Sequence, residues 1–236
     1  MKKGRQFMAR SCRVRRRVGG LVVLGTAAGV MAGGLSGCIV AGVGAIAAQA
    51  YEDTVPKKVF AEYEGLQGKT FAVLVSADRS IQGEFPSLAL ELTRRITEDL
   101  VANAGATGYI PADQVVMFQA KNAGWPIRAR DELAEQLGGV DRLVIVELSE
   151  FRLREPGNQY LWDGQAVATV GVVEVEAVNP DDLVFQRSIR VKFPDQSGVG
   201  AGELGSTVVA SVLVKRLADR AAWLMYDHEE SRKIPY

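Results

Sequence analysis

Phe71-Ala72-Val73-Leu74-Val75, closed by Gly68 before it and Asp78 after it, decides the fold. Five apolar residues in a row, with no polar alternation, suit a strand buried on both faces of a sheet. Pro86 then opens a helix in which Leu88, Leu92, Ile96 and Leu100 recur every four residues, ended by Asn103 and Gly105. A strand followed by a helix starts an α/β unit. Further along, Gln114 to Phe118 reads as a second strand, and Asp131 to Leu137, backed by Gly138 and Gly139, as a short helix stopped by glycine. Leu143-Val144-Ile145-Val146-Glu147-Leu148 again lacks alternation and reads as a central strand.

The character of the sequence then changes. Between Gln165 and Phe193 two long runs flank the turn formers Asn179, Pro180, Asp181 and Asp182, which predicts an antiparallel hairpin. In its second run Leu183, Phe185, Ile189, Val191 and Phe193 share one face, opposite Gln186, Ser188, Arg190 and Lys192, with Arg187 the exception. Leu204, Val208, Val212, Leu213, Leu217, Ala221 and Leu224 then mark one stripe of a long terminal helix. The expected fold is α/β: a mixed sheet of about five strands in two or three layers, in the order β-α-β-α-β-β-β-α, ending in an antiparallel hairpin and a long helix.

Toward the N-terminus, Lys2, Lys3, Arg5, Arg10, Arg13, Arg15, Arg16 and Arg17 precede an apolar run from Val18 to Leu35. A basic end followed by an apolar stretch is the pattern of a secretion signal. The run stops at Leu35-Ser36-Gly37-Cys38, which resembles the lipobox of bacterial lipoproteins. The resemblance implies cleavage between Gly37 and Cys38 and a diacylglycerol on the Cys38 sulfur. It also implies outer-membrane sorting in a Gram-negative cell, because Ile39 stands where an aspartate would retain the protein. A simple transmembrane anchor is the alternative, since apolar character resumes from Ile39 to Ala48. Arg15, Arg16 and Arg17 hint at twin-arginine export, though Val18 and Gly19 follow where that motif is stricter.

Composition agrees with export. Cys12 leaves with the signal and Cys38 is consumed by lipid, so the mature chain has no thiol for disulfides, catalysis or metal binding. Removing eight basic residues from 28 leaves 20 against 28 acids, a net charge of about −8. An acidic mature chain disfavours nucleic acid and anionic lipid as partners. Four segments follow: a signal peptide at 1–37, a lipidated Ala- and Gly-rich tether at 38–68, a periplasmic α/β domain at 69–226 and a charged, frayed tail at 227–236. A short amphipathic helix competes with the tether near Val59, Phe60 and Tyr63.

An exported lipoprotein with this element order is similar to the periplasmic domain shared by the curli-secretion lipoprotein CsgG, the penicillin-binding-protein activator LpoB and the amino-terminal domain of TolB. The likeness is carried by Phe71 to Val75 after a glycine turn and by the helix from Pro86. Glu132-Leu133-Ala134 to Leu137-Gly138 and the strand from Arg142 to Leu148 complete it. It implies a non-catalytic module for protein contacts in the cell envelope. Pore formation is not expected, because the one hairpin carries Glu174, Glu176, Arg190 and Lys192 on its wet face.

Several motifs imitate chemistry. Gly68-Lys69-Thr70 resembles the end of a phosphate loop, but Tyr63 replaces the earlier glycine and a strand follows. Gly200-Ala201-Gly202-Glu203-Leu204-Gly205 has dinucleotide spacing before a helix, yet follows a hairpin, so it reads as a loop and helix entry. His228, the only histidine, sits among Asp227, Glu229 and Glu230 and reads as solvated. Ser76, Asp78 and Arg79 stand at the carboxyl end of the first strand, where open α/β sheets place ligands. Glu147 and Glu150, three apart on a strand, should face opposite ways and cannot pair as acid and base. Trp125, Tyr160 and Trp162 lie in loops near Gly124 and Gly157 and are candidate partner contacts, with packing onto the sheet as the alternative.

The sequence therefore reads as a lipid-tethered envelope module that recruits, assembles or regulates other proteins, with no catalytic residue, cofactor or metal. A structural homo-oligomer at the membrane is the second reading, and an envelope enzyme with a carboxylate site the third. The sequence names neither partner nor pathway.

Overall fold

The computed structural model describes residues 56–231. Cys38, Gly37, the signal and most of the expected tether lie outside them. Strand β1 (Lys57–Val59) is followed by β2 (Thr70–Ala77), α1 (Arg79–Glu84), α2 (Leu88–Asn103), β3 (Gly108–Tyr109), α3 (Ala112–Lys121) and α4 (Arg130–Gln136). Then come β4 (Arg142–Arg152), β5 (Gly164–Glu174), β6 (Leu183–Phe193), α5 (Ser206–Ala222) and β7 (His228–Glu230). The main sheet has the order β3-β2-β4-β5-β6; β2 is parallel to β3 and β4, while β4, β5 and β6 are antiparallel. This is the mixed five-stranded α/β fold expected.

Chain direction sets the layers. The path from β2 through α2 to β3 moves one way across the sheet, and the path from β3 through α3 and α4 to β4 moves back past β2. Crossovers of one hand running in opposite directions put their helices on opposite faces. Phe71, Val73, Val144, Val146, Val170 and Val172 accordingly meet α2 and α5, while Ala72, Leu74, Leu143 and Ile145 meet α3 and α4. Strands β2 and β4 are thus buried on both faces, which is why their apolar runs do not alternate. On the second face of β6 no helix among the described residues lies over Val184, Gln186, Ser188, Arg190 and Lys192, all exposed. The molecule is three layers deep at β2 and β4 and two at β6.

Four expectations need correction. Gln114 to Phe118 lies in helix α3, not in a strand. Pro111 at the helix entry and Asp113 in the first turn are helix-start signals, and burial follows Val115 and Phe118, three apart, while Met117 is exposed. In α5 the buried stripe begins at Val209, fully buried, and Val208 is turned to solvent.

Residues 57–68 are not a tether and 227–230 are not a frayed tail. β1 and β7 pair antiparallel, with Lys57 opposite Glu230 and Lys58 opposite Glu229. The N–H groups of Glu62 and Tyr63 both donate to the Leu224 carbonyl at 2.9 Å, the Ala61 N–H donates to Asp227, and Leu66 is fully buried. The ladder pairing, these backbone bonds and a Lys58–Asp227 ion pair at 3.6 Å hold the ends together.

Candidate functional site

Two of the three loop aromatics serve the core. Trp125, in a single 3-10 turn (Trp125–Ile127), packs with Val115, Leu133 and Leu137. Trp162 is buried too; its indole N–H donates to the Leu204 carbonyl at 2.9 Å and the Arg154 guanidinium lies over its ring, 4.1 Å from the centroid. The Arg154 Nε is buried without a hydrogen-bond partner among the described residues. As partner contacts Trp125 and Trp162 are therefore corrected to packing residues, and Tyr160, 83% exposed, is the one left facing solvent. Exposed Ile127, beside Trp125, carries no signal in the sequence that separates it from its buried neighbour.

The glycine-rich stretch before α5 is held by the same loop. The Trp162 N–H donates to Val199, and the Ala201 N–H donates to Tyr160. The Glu203 and Leu204 N–H groups turn back to Gly200, so these amides are engaged within the chain. Lys69 of the phosphate-loop imitation donates to Glu176 at 2.7 Å, and Thr70 begins β2 as the sequence suggested.

The two glutamates of β4 behave differently from expectation. A bulge between Leu148 and Glu150 shifts the register, so that Leu148 and Phe151, three apart, both enter the core. Glu150 thereby joins Glu147 on the outer face. It is still unsuited to acid and base work: the Arg152 Nε donates to it at 2.6 Å and Gln165 at 2.8 Å, holding its pKa below the usual carboxylate range. Asp181 and Asp182 serve the hairpin turn, Asp181 accepting from the Arg130 N–H at 2.6 Å and Asp182 from Asn179. Ser76 is half-buried, and Asp78 and Arg79 form the exposed entry to α1.

His228 is not a solvated tail residue. Its ring stacks on Trp223, centroids 4.5 Å apart and planes 13° from parallel. Nδ1 lies 3.2 Å from the Tyr226 carbonyl oxygen and Nε2 3.3 Å from Glu230. Glu230 is also ion-paired with Arg220. This assembly forms one wall of a cavity of about 490 Å3 between the β1–β7 ribbon, the end of α5 and strand β6.

Charge in the cavity runs against that of the domain. Residues 56–231 hold 18 Lys and Arg against 26 Asp and Glu. The lining has Lys57, Arg187, Arg190 and Arg220 against Glu62 and Glu230. Arg187 binds Glu62 at 3.2 Å and Arg220 binds Glu230, whereas Lys57 and Arg190 make no ion pair among the described residues. Sequence reasoning missed this place, although two signals bear on it. Lys57-Lys58 and Glu229-Glu230 are complementary pairs, and a long helix stripe, not an adjacent strand pattern, follows β6. Among the described residues no group of three His, Cys, Asp or Glu could hold a metal, and no helix is long and apolar enough to cross a membrane.

No protein-family model matches the sequence, and no curated protein matches it. Solved structures overlap with it in shape. A PelC dodecamer from Paraburkholderia phytofirmans is 12% identical, with a TM-score of 0.44 over 72% of this chain and 98% of that one. Lipoprotein GNA1162 from Neisseria meningitidis is 15% identical, with a TM-score of 0.41 over 65% of this chain and 97% of that one. A Xanthomonas campestris protein of family DUF330 is 11% identical, with a TM-score of 0.39 over 73% and 90%. At these scores the likeness is one of partial shape, and no residue role is carried over from it.

Proposed function

We propose that the chain is a bacterial envelope lipoprotein, held by lipid on Cys38 with its α/β domain facing the periplasm at the outer membrane, and that it acts by binding another protein and catalyses nothing. Leu35-Ser36-Gly37-Cys38 after a basic and then apolar leader supports the anchor, and this is the observation that carries the reading. The binding half is supported by the outer margin of β6, 11 residues long, last in the sheet and unpaired with any other strand among the described residues. A bare strand edge invites pairing with another chain. The commitment of Glu150, Asp195 and Glu230 to arginine partners supports a structural role for these acids.

The test is processing in cells of the full chain and its Cys38→Ser variant. Expected is a shortened, lipid-labelled wild type in the outer-membrane fraction and a longer, unlabelled variant. Equal processing and equal membrane retention of the two would overturn the anchor. Chemical crosslinking of the lipidated protein in envelopes then tests the binding half: adducts with a different polypeptide are expected, and adducts with copies of this chain alone would make it a structural oligomer.

A further inference from the structure

The 490 Å3 cavity lies along a strand margin, and this follows from which residues reach it. Arg187, Ser188, Ile189 and Arg190 are consecutive in β6, and all four line it. Side chains of a strand alternate between faces. A space touched by four in a row must therefore run along the outer margin, where the peptide N–H and C=O groups point. β6 is the last strand of its sheet, and among the described residues its outer main chain bonds to no other backbone. One side-chain contact, from Arg216 to the Lys192 carbonyl, lies beyond these four residues.

The rest of the cavity is shaped for something extended. Its far wall is one face of the β1–β7 ribbon, since Lys57 and Val59 pair with Glu230 and His228 and all four line the space. Ile189, Leu224 and the stacked Trp223 add apolar surface. Apolar surface beside unpaired peptide groups suits a strand, which offers side chains on alternate faces and main-chain partners along its edge.

Charge then selects the strand. The described residues carry a net negative charge, but here four cations face two acids. Glu62 and Glu230 already occupy Arg187 and Arg220, leaving Lys57 without an ion pair for an incoming carboxylate, while Arg190 on the opposite wall, whose charge also reaches Glu150, adds positive field. We propose that this groove takes an extended acidic segment of another protein as an added strand beside Arg187–Arg190. The proposal rests on the protein-binding reading above and names the class of partner. A small anion could meet the cations but would leave the strand margin unbonded.

The test uses the full chain in detergent micelles with a capped peptide alternating glutamate and valine. Three further probes accompany it: the same peptide with alternate backbone nitrogens methylated, its lysine counterpart, and inorganic phosphate. Expected are binding of the acidic peptide with slowed amide exchange at residues 187–190, and affinity about tenfold weaker for the methylated form. The double variant Lys57→Glu with Arg190→Glu should lose a similar factor while melting cooperatively as the wild type does. Because Arg190 lies on the exposed margin, the single variant Arg190→Gln serves if the double one fails to fold.

No binding by about 1 mM peptide overturns the proposal. So does equal binding of the methylated or lysine peptide, the same protection from phosphate alone, or binding without protection at 187–190. Each outcome is independent of lipid on Cys38, so failure here leaves the anchor standing, and failure of the anchor leaves this groove untouched.

Discussion

Asp141 shows how single residues pin the sheet. Its carboxylate accepts from the Thr70 N–H and from the Thr70 hydroxyl, both at 2.8 Å, joining the starts of the parallel neighbours β2 and β4. The backbone bond first, and the hydroxyl second, hold its pKa below the ordinary value. Beside it the buried Arg142 donates to the Gly65 carbonyl and to Glu176, whose pKa is lowered to about 2 by Arg142 and then Lys69. Tyr63 donates to Glu174 at 2.9 Å, and burial followed by that bond pushes its pKa up to about 12.

A carboxylate whose folded pKa is depressed contributes stability that is full above its unfolded pKa and lost as pH falls through the folded one. The urea midpoint of Asp141→Asn should therefore lie below that of the wild type by most near neutrality. The gap should narrow as pH drops below about 4. A constant gap from neutral to acid would contradict this role. At this scale the sequence was least legible. Trp125 and Trp162 sit in loops with glycines nearby, as exposed anchors would, and only tertiary contacts show that both rings are buried. The setting of His228 is equally hidden, because its stacking partner Trp223 belongs to a turn after α5 and the sequence does not reveal how that turn folds back.

Among elements, legibility followed the strength of the period. β2, α2, β4 and the β5–β6 hairpin were readable because burial on both faces, on one stripe or on alternate residues leaves distinct apolar patterns. Val115-Val116-Met117-Phe118 was not, since a four-residue apolar run fits either a strand or a helix. The bulge in β4 left no mark on composition, yet it turned Glu150 to the other face.

The β5–β6–α5 contact permits a sharp test. A Cβ on Gly164 would lie 2.6 Å from the Phe193 carbonyl oxygen and 2.7 Å from a Leu213 methyl, and the first is backbone of the paired strand. Gly164→Ala should cost about 1–3 kcal/mol in denaturant unfolding, as overpacking of a tight contact does. Gly124→Ala, where an added Cβ meets nothing within 4 Å, is the control expected to change little. Equal effects of the two would show that β5 and α5 do not pack this closely.

For the whole molecule, the feature with the widest reach is the β1–β7 ribbon. Neither strand exceeds three residues, and 170 residues or so separate them in sequence, so no local pattern could predict the pairing. Once formed, it brings the first and last described strands to one spot, with Lys57 directly across from Glu230. Residues 56–231 could therefore be closed into a ring there by a brief glycine and serine bridge and reopened at the exposed turn Glu155–Gly157, where Gly157 has a positive φ. Such a rearranged order, read by circular dichroism and cooperative melting, should reproduce the original domain. A version that emerges unfolded would mean that the native succession of segments, beyond their final neighbours, is needed to reach the structure.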